Sequence, residues 1–137
     1  MGIIIPDYNI GEKLGESPQS VVYKAFHKKN PRQPLVLKIL KGVLLSEEQK
    51  RYFRQRIEHL KVLHDTRVII PLSFKIIGGV PFFTQNYFDG ITLEQWAKRQ
   101  TKIALDKFLV IACQIAEVLH NVHEAGIILV GSNLIIF

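Results

Sequence analysis

Leu14-Gly15-Glu16-Ser17-Pro18-Gln19-Ser20-Val21-Val22-Tyr23-Lys24-Ala25, followed after a polar interval by Leu35-Val36-Leu37-Lys38, decides how this chain folds. Two extended runs with β-branched and aromatic residues flank a turn of small residues, which reads as a β-hairpin. The next apolar strand carries a lone lysine. A lysine among strand residues is costly to bury unless it meets an anion or a carboxylate. Lys38 is therefore the first candidate functional residue. Its plain alternative is an edge-strand lysine whose stem reaches back to water.

Outward from this hairpin, Tyr8 to Leu14 alternates as a first strand and Val21 to His27 as its partner. His27 to Pro34 reads as a polar, proline-marked turn, and Leu35 to Leu40 as a third strand. Ser46, with Glu47 and Glu48 behind it, predicts a helix start: a capping hydroxyl with acids in the first turn. That helix runs to about Leu63, with Phe53, Ile57 and Leu60 as one apolar stripe. Val68 to Ile77 and Pro81 to Tyr87 form two strands joined at Gly78-Gly79, a strong hairpin signal. Leu93 to Arg99 is a short helix.

Asp106 then caps a long helix to about His123, whose wide apolar face comprises Leu105, Leu109, Ala112, Ile115, Ala116, Leu119 and Val122. Ala125-Gly126 ends it. Ile127 to Phe137 reads as two short strands around Gly131-Ser132-Asn133. The expected fold class is α+β: a five-stranded antiparallel sheet with one inserted helix, then two helices and a short C-terminal hairpin. A single domain spans residues 1–137, with the sheet and its helix in 1–88 and the helical part in 89–137.

The totals are those of a globular chain: 137 residues, 47% apolar and 22% charged. The single Cys113 excludes an internal disulfide and fits a reducing, cytoplasmic setting; within its helix it reads as a small core residue. No apolar run reaches membrane-spanning length. The net charge of +6 is uneven, because residues 1–68 hold thirteen Lys/Arg against seven Asp/Glu and residues 69–137 hold five of each. A basic half is the footprint of nucleic-acid binding. Here a solvated face is the blander account and the one preferred.

In order and spacing, these segments resemble the small lobe of a protein kinase with the start of its large lobe. Gly15, Ser17, Ser20 and Val22 stand at the positions of the glycine-rich phosphate loop, and Leu35-Val36-Leu37-Lys38 at the strand whose lysine binds phosphate. Phe83 to Gly90 is similar to the strand that leads into the hinge, and His123 to Ile128 to the stretch before the catalytic loop. The resemblance implies an ATP cleft lined by Gly15, Ser17, Ser20, Val22, Val36, Lys38, Gln85 and Tyr87, and a chain about half the length of a whole kinase domain.

The departures bear on chemistry. Arg56 stands where the resemblance expects the glutamate that holds the lysine, and Glu58, two positions on and about 200° around the helix, should face away. Serines replace two loop glycines, and Pro18 removes a backbone N–H that could approach phosphate. Val36 replaces the alanine that faces adenine, and Asn86 replaces the hinge acid. Leu129-Val130-Gly131-Ser132-Asn133 lacks the aspartate that would accept the hydroxyl proton. The resemblance therefore implies a pseudokinase: no catalytic residue, no metal site, and at most weak ATP binding through Lys38. His120 and His123 share a helix face but lack a third ligand. The apolar face of the 105–123 helix and the C-terminal segment predict a protein partner or a homo-oligomer. The rival implication is the N-terminal part of an active serine/threonine kinase, completed by residues or a chain not present here.

Overall fold

The computed structural model describes residues 4–42 and 44–127. Its elements are β1 (Tyr8–Glu16), β2 (Ser20–His27), β3 (Asn30–Leu40), α1 (Glu47–Leu60), β4 (Pro71–Ile77), β5 (Val80–Asn86), α2 (Leu93–Lys98) and α3 (Leu105–Glu124). The strands form one antiparallel sheet in the order β1-β2-β3-β5-β4. The α+β class and the five-stranded sheet with one inserted helix are as expected. The expected C-terminal hairpin lies outside the described residues. Two compact units are present: Met1–Lys61 with Ile69–Tyr87, and Val62–Val68 with Phe88–Phe137.

In the first unit the sheet owes its core to alternation. Val21, Ala25, Leu37, Ile39 and Phe82 turn to one face and are buried there with Ile5 and Tyr8. The Tyr8 ring meets Phe82 edge-on at 5.7 Å. On the other face, Phe53 of α1 packs on Phe74 and Phe83 at 5.2 and 5.3 Å, and so holds the helix to the sheet. Ser46 caps α1 as expected, in a capping box: its hydroxyl accepts from the Gln49 N–H, and the Gln49 side chain accepts from the Ser46 N–H. The helix ends at Leu60, three residues before the expected boundary. Gly78 and Gly79, at φ of 57° and 76°, make the two-residue turn between the paired Ile77 and Val80.

β4 begins at Pro71, three residues after the expected Val68, and the boundary between β2 and β3 also needs correction. The stretch from His27 to Pro34 is not a long turn: only Lys28 and Lys29 turn the chain, and β3 begins at Asn30. β5 pairs with β3 only from Leu35 onward. Residues 30–34 therefore have no β5 neighbour. Their register with β2 slips between Phe26, opposite Pro34, and His27, opposite Asn30, so the prolines fall at an edge and an irregularity where no ladder donor is needed.

In the second unit α3 begins one residue before Asp106. Its N-cap is Ala104, which makes no side-chain cap, so Asp106 sits in the first turn and favours the helix through its charge alone. The C-terminus is a Schellman motif on Gly126 at φ 73°. Gly126 N–H donates to the His123 carbonyl and Ile127 N–H to the Val122 carbonyl, with Val122 and Ile127 both fully buried. Cys113 is exposed, not a core residue, because it lies a turn-fraction away from the Ala112–Ile115–Leu119 stripe.

Candidate functional site

Strand register brings most of the candidate residues to one face of the first unit. Gly15 lies opposite Val22, Val22 opposite Lys38, and Lys38 opposite Phe83; one step along, Val36 lies opposite Gln85. Directly paired residues project to the same side of an antiparallel sheet. Gly15, Val22, Val36, Lys38 and Gln85 therefore share a face, with the stem of Lys38 between Val22 and Phe83. Val36 is buried and Gln85 half-buried on it. Tyr87, just beyond β5, joins through Lys24, whose ammonium lies 4.2 Å from the centre of the Tyr87 ring. Lys24 is the residue that sequence reasoning missed. Its signal was the β2 alternation, which puts Lys24 on the face of Val22.

The turn above this face spends its polar groups on itself. Ser17 N–H donates to the Ser20 carbonyl at 2.8 Å, and Ser20 N–H donates to Ser17 Oγ at 3.1 Å. The two hydroxyl oxygens are 3.1 Å apart. Pro18 has no N–H, and the Gln19 carbonyl accepts from the Lys41 N–H at 2.9 Å, which ties the turn to the end of β3. An incoming phosphate would compete for donors already engaged. Ser17 and Ser20 therefore shape the turn; Ser20 is itself buried.

Lys38 is exposed and, among the described residues, forms no ion pair. Glu58 faces solvent as expected and pairs with Lys61 at 2.5 Å. Arg56 is half-buried on the inner side of α1. The other carboxylates of the first unit that form ion pairs among the described residues also do so with lysines other than Lys38: Glu16 with Lys13 and Lys41, and Glu47 with Lys50. The Glu16 carboxyl is pushed down to about 2, first by the Lys41 hydrogen bond and then by that of Lys13. This face can attract an anion by charge, and among the described residues no carboxylate pairs with Lys38.

The second unit has its own polar centre. Asp65 takes Arg67 through Nε at 3.0 Å and Nη2 at 2.8 Å, and the Asn121 amide at 2.9 Å; Arg67 Nη1 reaches Glu117 at 2.9 Å. The Arg67 hydrogen bonds, then that of Asn121, hold Asp65 well below the ordinary carboxylate range. This network fixes Val62–Val68 to α3. The first half of α3 leaves large apolar side chains uncovered: Leu105 is 71% exposed, and Phe108, Leu109 and Val110 are each more than half exposed. His120 and His123 are exposed, and among the described residues no group of three or more His, Cys, Asp or Glu could hold a metal. No helix among the described residues is long and apolar enough to cross a membrane.

No family model matches the chain. Over 122 residues it is 27% identical to a probable serine/threonine-protein kinase of Clostridium acetobutylicum, which covers 88% of this chain and 18% of that protein. Over 123 residues it is 25% identical to the serine/threonine-protein kinase ULK3 of Xenopus laevis, covering 90% of this chain and 26% of that one. Among solved structures, the PknI kinase domain of Mycobacterium tuberculosis superposes with a TM-score of 0.69 at 24% identity, over 91% of this chain and 51% of that domain. A double mutant of the same domain gives a TM-score of 0.76 at 23% identity, over 98% and 54%. The chain thus spans about a quarter or less of these curated relatives and about half of the solved domain.

Proposed function

We propose that this chain, whose fold is protein-kinase-like, acts as a non-catalytic binding or regulatory module in signalling, with no more than weak ATP binding through Lys38. One observation carries the reading: Lys38 stands exposed at the centre of its face with no carboxylate partner among the described residues, while Glu58 turns away onto Lys61. Phosphoryl transfer asks a protein mainly for positioning and charge neutralisation. A lysine that pairs with no carboxylate among the described residues, under a turn whose serine N–H groups are engaged, supplies little of either. The uncovered apolar start of α3 supports a protein partner or a second copy of the chain as what this module binds. The single cysteine, exposed and unpaired, agrees with a cytoplasmic setting.

The test is incubation of the purified chain with labelled ATP, magnesium and a generic serine/threonine substrate. The expected result is no incorporation above that of Lys38→Met. Incorporation that Lys38→Met abolishes would sink the non-catalytic reading. Light scattering on a size-exclusion column tests the partner: a monomer at high concentration removes self-association.

A second reading has its own support. Both curated relatives are named as serine/threonine-protein kinases, and this chain matches only a part of each. On that reading it is the N-terminal part of an active kinase, and further polypeptide covers α3. The same phosphate assay on the product of the full reading frame distinguishes the two.

A further inference from the structure

The face of the sheet opposite Lys38 carries a cleft of about 500 Å3 that belongs to none of the chemistry above. Its floor is apolar: Val21 and Ile39 are buried, and Val80 and Tyr23 are half-buried. Its rim is charged. Lys13 Nζ donates to Glu16 Oε2 at 2.9 Å, and Lys41 Nζ donates to Glu16 Oε1. Two lysines thus share one carboxylate, and the rim holds one uncompensated positive charge. The unit around it has thirteen Lys/Arg against six Asp/Glu.

We propose that this cleft docks an acidic segment of a partner protein. A partner's aliphatic or aromatic side chain rests on Val21, Ile39 and Val80, and a neighbouring carboxylate replaces Glu16 between Lys13 and Lys41. Charge complementarity selects the occupant, because an anionic chain meets both the rim and the surplus cations of the unit. Openness selects a polypeptide over a small molecule. The rim side chains of Lys13, Glu16 and Lys41 are 53%, 46% and 35% exposed, whereas small-ligand pockets enclose most of their ligand. Exposed ion pairs are weak and exchange partners readily, so Glu16 is an internal stand-in that an incoming carboxylate can displace. The proposal is independent of whether Lys38 meets a nucleotide.

The probe is a short fluorescein-labelled peptide of glutamates interrupted by one phenylalanine and one leucine, followed by anisotropy. Lys13→Glu with Lys41→Glu is expected to weaken binding about ten-fold or more, as when close charge pairs are reversed. Lys28→Glu with Lys29→Glu, the same change in net charge at the β2–β3 turn, should weaken it far less. Glu16→Gln should tighten binding beyond what Glu12→Gln achieves, since only Glu16 competes for the lysines. Amide NMR shifts on titration should fall on Val21, Ile39 and Lys41, which keeps the test valid if the lysine double variant fails to fold. The proposal is overturned if both double variants weaken binding equally, if a peptide of glutamates alone binds as well, if Glu16→Gln gains nothing over Glu12→Gln, or if the peptide does not bind.

Discussion

Replacing Gly15 by alanine separates what the backbone requires at that position from what a ligand would require. Gly15 is paired with Val22 and is not among the residues in the left-handed region, and an added Cβ would meet no heavy atom within 4 Å. The folded state therefore accepts alanine without cost, while the unfolded chain loses freedom. The expected gain is about 0.4–1 kcal/mol, or a rise in Tm of about 1–4 °C for a chain of this size. Gly126→Ala is the matched opposite. Space is again open, but φ is 73°, so the backbone alone exacts about 1–2 kcal/mol and Tm falls. Thermal melts followed by far-ultraviolet circular dichroism read both. A fall in Tm for Gly15→Ala, or movement of both variants in one direction, would refute the backbone reasoning. Calorimetric titration with ATP supplies the second axis. A glycine at a phosphate loop lets backbone approach the ligand closely, so Gly15→Ala should weaken any nucleotide binding while it stabilises the fold. Unchanged affinity would mean that a nucleotide does not lie against Gly15.

Phe82→Ala should cost about 3–5 kcal/mol, because Phe82 is fully buried against Tyr8 at the centre of the sheet core; urea unfolding measures it, and a loss below about 1 kcal/mol would contradict that packing. Acid should destabilise the fold modestly in a defined window, with Asp65 the main contributor because the exposed Glu16 pairs are weak. Glu16, pushed down to about 2, and Asp65, also lowered, bind fewer protons in the folded state than in the unfolded one. Stability from these groups is complete above the ordinary carboxylate values of about 4 and is lost as pH falls through the folded-state values. Melts taken from neutral pH downward should therefore show a plateau and then a decline, and Glu16→Gln with Asp65→Asn should flatten the decline.

Much of the fold was legible because local signals and burial agree. Gly78-Gly79 could serve only as a tight turn, and the chain folds back there with Ile77 on Val80. Ser46 announced α1, and the same signature, Thr92 followed by Gln95, stood unread before α2, where it forms a second capping box. Two readings failed for want of context. Pro31 and Pro34 argue for a turn only if the strand is regularly paired on both edges; β5 stops short of them and the pairing with β2 slips there, so β3 runs through both. Asp106 carries the right chemistry for a cap, yet the helix begins at Leu105 and leaves it in the first turn.

The candidate site was legible in its residues and largely in its alternation, and what the sequence hid is the side taken by Lys13, for a reason that lies in β1. A regular strand alternates faces, so Lys13 and Gly15 would share one side and Glu16 would take the other. The pairing with β2 slips between Ile10 and Lys13 and again between Lys13 and Gly15. After these slips Lys13 lies opposite Tyr23 and Glu16 opposite Val21, both on the core face, while Gly15 lies opposite Val22 on the face of Lys38. An extra residue in a strand re-aims the side chains that follow it. The two slips add up to two residues, so Gly15 and Glu16 keep the faces that plain alternation from Asn9 and Ile10 gives them, and only Lys13 changes side, joining Glu16 on the core face. Glu16 thus reaches the face opposite Lys38 by ordinary alternation, and the slips in β1 bring Lys13 to the same side, where it pairs with Glu16.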